Sequence, residues 1–244
     1  MSSFEVKNIV PINFLGFDIS ITNSSLFMLI VVGIIGIVFF LGTSDKGLIP
    51  NKLQAATENA FYFVGNIVKT SISKKSVEFF PYVIALFMFI LFGNVIGLLP
   101  FSFSFTSQII VTFGMALIVF LLSLVLGICA QGIKYFKRFC PAGIPEYLIP
   151  FFIVIELMSF LFRPISLGIR LFANMLAGHV MIEVIASFAA SIAGILALSY
   201  FAAIPIIINV LLNAFKLLVC GLQAYVFVVL SCIYLSESIE TPEH

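Results

Sequence analysis

The chain has 244 residues, 62% of them hydrophobic and 9% charged, with a mean hydropathy of +1.23 and a formal net charge of +1. A soluble domain carries about 45–50% apolar and about 25% charged residues, so composition alone excludes one and makes lipid the solvent of this chain. The near-neutral balance, without a dense basic cluster, gives no footing for nucleic acid.

In chain order, the first 24 residues read as an outer tail. They lack a basic region followed by an apolar run, so no cleavable signal or transit peptide is expected and insertion falls to the first span. That span occupies residues 25–42, with its apolar run from Leu26 to Leu41. A mixed stretch from Thr43 to Glu78 follows, holding Pro50, Glu58 and five lysines. Within it Leu53, Ala56, Ala60, Phe61, Val64, Ile67 and Val68 recur at helical spacing, which predicts an amphipathic helix over 50–70 lying on the membrane surface. A second span is predicted over 79–100, closed by Pro100, and a third over 109–130. After a basic turn (Lys134, Lys137, Arg138, then Pro141-Ala142-Gly143), apolar patterns run from Pro145 to about Ala190 and from about Ile192 to Tyr234.

Those last two patterns exceed an upright span. About 40 helical residues extend roughly 60 Å, against a hydrocarbon layer of about 30 Å. Each must break, with Pro150, Pro164 and Pro205 as candidate bends, or lie tilted. The expected fold is a single all-α polytopic membrane domain over 1–244. It has about five transmembrane helices, a surface amphipathic helix and a long tilted C-terminal hairpin over 145–235. Lys and Arg concentrate in the loops 43–78 and 131–146, while Phe101 to Gln108 carries no charge. This places the N-terminus outside and the basic loops and C-terminus inside. The four cysteines form no Cys-x-x-Cys pair, which predicts inert thiols rather than a metal site or a disulfide framework.

The hairpin carries the chemistry. Glu156, Ser159, Arg163, Ser166, Arg170 and Asn174 cover 18 residues in five steps, a mean of 3.6, and so form one line along a helix. His179 and Glu183 continue the polar set as an i,i+4 pair. In the last helix Asn209, Asn213, Lys216, Cys220, Gln223, Ser231 and Tyr234 follow the same spacing, with Phe227 filling one turn. The expectation is of two polar stripes facing one another, with Arg163 snorkelling or pairing with Glu156. Serines and asparagines in such stripes commonly serve as interhelical glue, worth about 0.6 kcal/mol each. Ionisable groups more often mark ion paths, and a guanidinium at a helix centre costs roughly 2.5–3.5 kcal/mol or more. Arg170 cannot discard its charge. It stands between Glu156 toward the inside and His179 with Glu183 toward the outside, so a fixed cation separates two groups of titratable residues and blocks an unbroken proton relay.

These residues resemble subunit a of the F-type ATP synthases, subunit 6 in mitochondria. The likeness rests on Arg163-Pro164-x-Ser166-Leu167-x-x-Arg170-Leu171-x-x-Asn174-Met175-x-Ala177-Gly178-His179, on Gln223-Ala224-Tyr225-Val226-Phe227, on Asn94-x-x-Gly97-Leu98-x-Pro100 and on Thr106-Ser107-Gln108. It runs in order from about Phe17 onward. The resemblance implies the stationary part of a rotary proton motor in an inner membrane, bacterial or mitochondrial. Its partners would be a ring of c subunits, peripheral-stalk b subunits and lipid; it implies no cofactor and no ATP chemistry on this chain. Arg170 matches the family's essential arginine. Glu156, Ser166 and Asn174 would serve an inner half-channel, and His179, Glu183 and Gln223 an outer one. Two departures stand out. Lys216 occupies a position where the family usually has glutamate or histidine, and Glu183 adds a carboxylate, so a compensating Glu183–Lys216 pair is expected. Gln108 stands where many relatives have histidine. A stand-alone channel or a secondary transporter would account for intramembrane charges too, although no repeat relates the two halves. An intramembrane enzyme is disfavoured by only two histidines, one of them His244.

Overall fold

The computed structural model describes residues 8–10, 13–14, 17–18, 20–44, 50–72, 76–99, 102–132, 135, 146–193 and 203–239. The basic turn holding Lys134, Lys137, Arg138 and Pro141 to Gly143 lies outside them, as do Lys46, Lys74 and Lys75.

Among the described residues six α-helices carry the fold: α1 (Asn23–Ser44), α2 (Lys52–Ser71), α3 (Ser76–Gly97), α4 (Ile109–Gln131), α5 (Ile149–Ala193) and α6 (Ala203–Ile239). All but α2 are long and apolar enough to cross a membrane. This is the architecture lipid demands, because a spanning helix satisfies its backbone polar groups internally. The tail adds two short antiparallel ladders, β1 (Asn8–Val10) with β4 (Ile21–Thr22) and β2 (Asn13–Phe14) with β3 (Phe17–Asp18).

α2 starts where the Asn51 side chain accepts a hydrogen bond from the Lys52 N–H, relieving one of the unpaired donors at a helix start. Its buried residues, Thr57, Val64, Ile67 and Val68, form one stripe, with Lys52, Glu58 and Lys69 on exposed positions. The stripe packs on α1 and α3, where Phe61 bridges Phe39 and Phe80 at centroid distances of 5.4 and 5.7 Å. Between α3 and α4 a buried 3₁₀ turn, Phe105–Ser107, sets Phe105 against Gly93. A Cβ on Gly93 would lie 2.5 Å from the Phe105 ring.

α5 and α6 are each one continuous helix of 45 and 37 residues. At 1.5 Å per residue they extend about 68 and 56 Å, which a layer of about 30 Å accommodates only by tilt. The prolines do not break them. Pro150 and Pro205 fall in first turns, where a missing N–H costs nothing, and α5 runs on through Pro164. The buried core is shared by α2, α3, α4, α5 and α6 and includes Val64, Val83, Ile90, Val119, Leu167, Leu171 and Phe227.

Candidate functional site

Which face of α5 turns inward decides the site. Phe160, Pro164, Leu167, Leu171 and Met175 are buried, at steps of three or four residues. They form the seam against α4 and α6; Phe120 on α4 stacks on Phe160 at 4.8 Å. At Gly168 the two backbones nearly touch: a Cβ there would lie 3.0 Å from Phe113 Cα and 3.3 Å from the Thr112 carbonyl oxygen on α4. With the apolar line spent on this seam, the polar line is displayed outward. Ser159, Ser166 and Arg170 are exposed, and Glu156, Arg163 and Asn174 half-buried.

α6 is turned the opposite way. Lys216, Cys220, Gln223, Phe227 and Ser231 are buried, and Tyr234 is half-buried. The two polar stripes therefore meet only in part: Arg163 lies over the Tyr234 ring and Asn174 shares a pocket with Lys216, while Ser159, Ser166 and Arg170 are exposed. Spacing along each helix does not set this direction: α5 buries Phe160, Leu167, Leu171 and Met175, whereas α6 buries Lys216, Gln223 and Ser231 together with Phe227, Val228 and Leu235.

Among the described residues, contacts at three levels lace the hairpin. At one level Arg163 Nη1 pairs with Glu237 Oε2, and the Arg163 guanidinium sits 5.2 Å above the Tyr234 ring. Further along, the Cys220 thiol donates to Met175 Sδ at 3.7 Å. Beyond that Lys216 lies across Gly178, where a Cβ would come within 2.6 Å of its Cε. Arg163 thus pairs across the hairpin and not with Glu156. Its partner Glu237, which by sequence reads as part of an acidic tail, belongs to the last turn of α6. Arg170 falls between the first two contacts. It makes no hydrogen bond or ion pair among the described residues, although its charge reaches Tyr234. Arg170 is thus an exposed permanent cation midway along a membrane helix.

Lys216 is 8% exposed, and its Nζ has no hydrogen-bond partner among the described residues. Glu183 is exposed on α5, and the expected Glu183–Lys216 pair is not formed. Glu183 is exposed, whereas Lys216 is buried. His179 is half-buried and lies within reach of the Lys216 charge. Lys216, Asn174, Gly178 and Phe215 line a pocket of about 190 Å³ between α5 and α6. Asn174, one helical turn from Arg170, is the lining residue nearest to it along α5. Gln223 is buried with Nε2 unpartnered among the described residues.

Asn94 on α3, read from sequence only as part of a motif, is fully buried with neither amide atom hydrogen-bonded among the described residues. An amide within an apolar run was the available signal. Gln108 precedes α4 with an extended backbone, its N–H donating to the Phe105 carbonyl. Of the thiols, Cys220 and Cys232 are buried and free, and Cys129 is free but exposed.

Five long apolar helices among the described residues, with Arg170 exposed and Lys216 and Gln223 buried within them, define a polytopic membrane protein that carries charged and amide groups inside its spans. Residues 25–236 match the family model described as ATP synthase A chain. Among similar proteins, ATP synthase subunit a of Gluconobacter oxydans is 48% identical over 226 residues, spanning 92% of this chain and 91% of that one. The subunit a of Beijerinckia indica is 42% identical over 242 residues (99% and 95%), and that of Agrobacterium fabrum 44% over 237 residues (97% and 95%). The chain belongs to the ATP synthase A chain family. It is accordingly a multi-pass protein of the inner membrane, in the proton-transporting sector of the ATP synthase, and not a subunit that carries ATP chemistry.

Proposed function

We propose that this chain is the stator half of a rotary proton path, with Arg170 facing the carboxylates of a c-subunit ring. The observation that carries the reading is the placement of Arg170: exposed, midway along α5, on the one face of that helix which its own bundle leaves uncovered. A cation close to a carboxylate lowers the carboxylate's pKa by roughly 1–3 units. A ring carboxylate arriving protonated would therefore give up its proton near Arg170 and leave the arginine only by taking another.

The protons need two offset routes. Glu156, Ser166 and Asn174 share the outward line with Arg170 and are assigned to the inner half-channel. His179, Glu183, Lys216 and Gln223 lie beyond Arg170 or across from it on α6 and are assigned to the outer half-channel. A pocket that joins Asn174 on α5 to Lys216 on α6 supports a polar route between the two helices. Peripheral-stalk b subunits would hold the chain against the torque of the ring.

The test is ATP-driven proton pumping in vesicles carrying the assembled complex. Arg170→Ala is expected to abolish pumping while the complex stays assembled. Pumping retained at the wild-type rate would overturn the assignment. Proton leak through the purified chain alone would favour a stand-alone channel; flux only beside the ring supports the stator.

A further inference from the structure

A second cavity lies where the end of α2 meets the start of α3. It has a volume of about 340 Å³ and is floored by Phe61, Gly65, Val77 and Phe80, with Tyr62 and Lys69 among its lining residues. Its apolar walls are open to the surroundings: Tyr62 is 72% and Val77 84% exposed. Lys69, in the last turn of α2, is exposed and has no ion pair or hydrogen bond from its side chain among the described residues. Glu78, beside Val77 in the first turn of α3, forms no ion pair with Lys69 either.

We infer that this groove is a binding site for one anionic phospholipid, with an acyl chain between α2 and α3 and the phosphate at Lys69. Three observations converge on that occupant. First, the groove is at headgroup depth, because it joins the end of an amphipathic helix to the first turn of a spanning one. Lipid is the medium at that depth. Secondly, the lining is mostly apolar, with Asn66 and the cationic Lys69 as its polar members, which is complementary to an acyl chain ending in a phosphate. Thirdly, the stretch from Thr43 to Glu78 carries five lysines, which by the positive-inside rule faces the leaflet side where basic pockets meet anionic headgroups. Gly65 keeps the floor low: a Cβ there would rest 3.6 Å from the Phe80 ring, in ordinary contact, so alanine fits and a longer side chain would project into the groove.

The experiment places the assembled complex in vesicles containing a trace of phosphatidylglycerol with a photoactivatable group in its acyl chain. A parallel sample carries phosphatidylcholine with the same chain. Labelling is mapped by peptide. The expected result is labelling of residues 61–80, with phosphatidylglycerol favoured by about fivefold, the worth of one surface cation. Lys69→Gln should remove that preference, and Gly65→Leu should reduce labelling by both lipids. Inorganic phosphate at millimolar concentration should leave labelling unchanged, since the chain and not the phosphate alone supplies the anchorage. Equal labelling by both lipids, displacement by free phosphate, or no label in 61–80 because another subunit covers the groove would each overturn the proposal. Proton pumping by Lys69→Gln is an independent readout, so failure of the lipid site is distinguishable from failure of the Arg170 assignment.

Discussion

Gly168 is the point at which a small change should travel furthest. A Cβ there would stand 3.0 Å from Phe113 Cα and 3.3 Å from Phe113 N and the Thr112 carbonyl oxygen. Carbon atoms in good contact are about 3.5–4.0 Å apart, so α5 and α4 must separate by about half an ångström for alanine and by more for valine. Every atom met is backbone, and no rotamer change relieves the clash. Such overpacking costs about 1–3 kcal/mol. Replacing a helical glycine with alanine returns up to about 1 kcal/mol, so Gly168→Ala should leave the complex assembled and little destabilised. Its effect should be on function. Arg170 lies two residues on, about 3 Å along the same rigid helix, and moves with it. A misplacement of about 1 Å in a reacting group can cost about 100-fold in rate. Gly168→Ala is expected to lower ATP-driven pumping by about tenfold, and Gly168→Val to abolish it and lower the thermal midpoint of the complex. Gly114→Ala and Gly114→Val are the controls, because a Cβ at Gly114 on α4 meets nothing within 4 Å. If Gly168→Val assembles and pumps like Gly114→Val, the argument that this close approach positions Arg170 is wrong.

Glu237→Gln should destabilise the assembled complex by about 1–3 kcal/mol, between the values for exposed and buried pairs, because it strands the half-buried Arg163. A double-mutant cycle with Arg163→Gln, read by thermal midpoint, should show coupling, and strict additivity would refute the pairing. Lys216→Met replaces a buried ammonium, which has no hydrogen-bond partner among the described residues, by an apolar chain of similar length, so the complex should be as stable as wild type or more so, while pumping falls. Unchanged pumping would remove Lys216 from the outer path. Asn94→Leu should likewise leave the thermal midpoint level or raised, since a buried unmade amide costs about 1–3 kcal/mol. A marked loss of stability would show that the amide is satisfied in the complex.

The polar positions of α5 show how far sequence reasoning reaches. Glu156, Arg163, Arg170 and Asn174 could be placed on one face from spacing alone, because helical period is a local property. Their partners could not. Glu156 lies seven residues from Arg163 and was the nearest opposite charge within the helix pattern, yet the partner is Glu237, 74 residues away. The Glu183–Lys216 pair failed for the same reason, since sequence contains no measure of which way two faces of a hairpin turn. The short ladders of the tail carried no alternation strong enough to read, as their strands are two or three residues long.

Apolar length against a layer of about 30 Å was sufficient to determine the number of spans, the excess length of the last two helices and the amphipathic nature of α2. In lipid the backbone must bond to itself, so composition already dictates helices. Arg170 was likewise legible from sequence, being a charge that cannot be neutralised within a run that should be apolar. Only the tertiary structure decided that Arg170 faces away from its own bundle while Lys216 and Gln223 face into it. That choice came from packing: Gly168 lets α4 approach one side of α5, Leu167, Leu171 and Met175 fill the seam, and the arginine is left on the side that remains open.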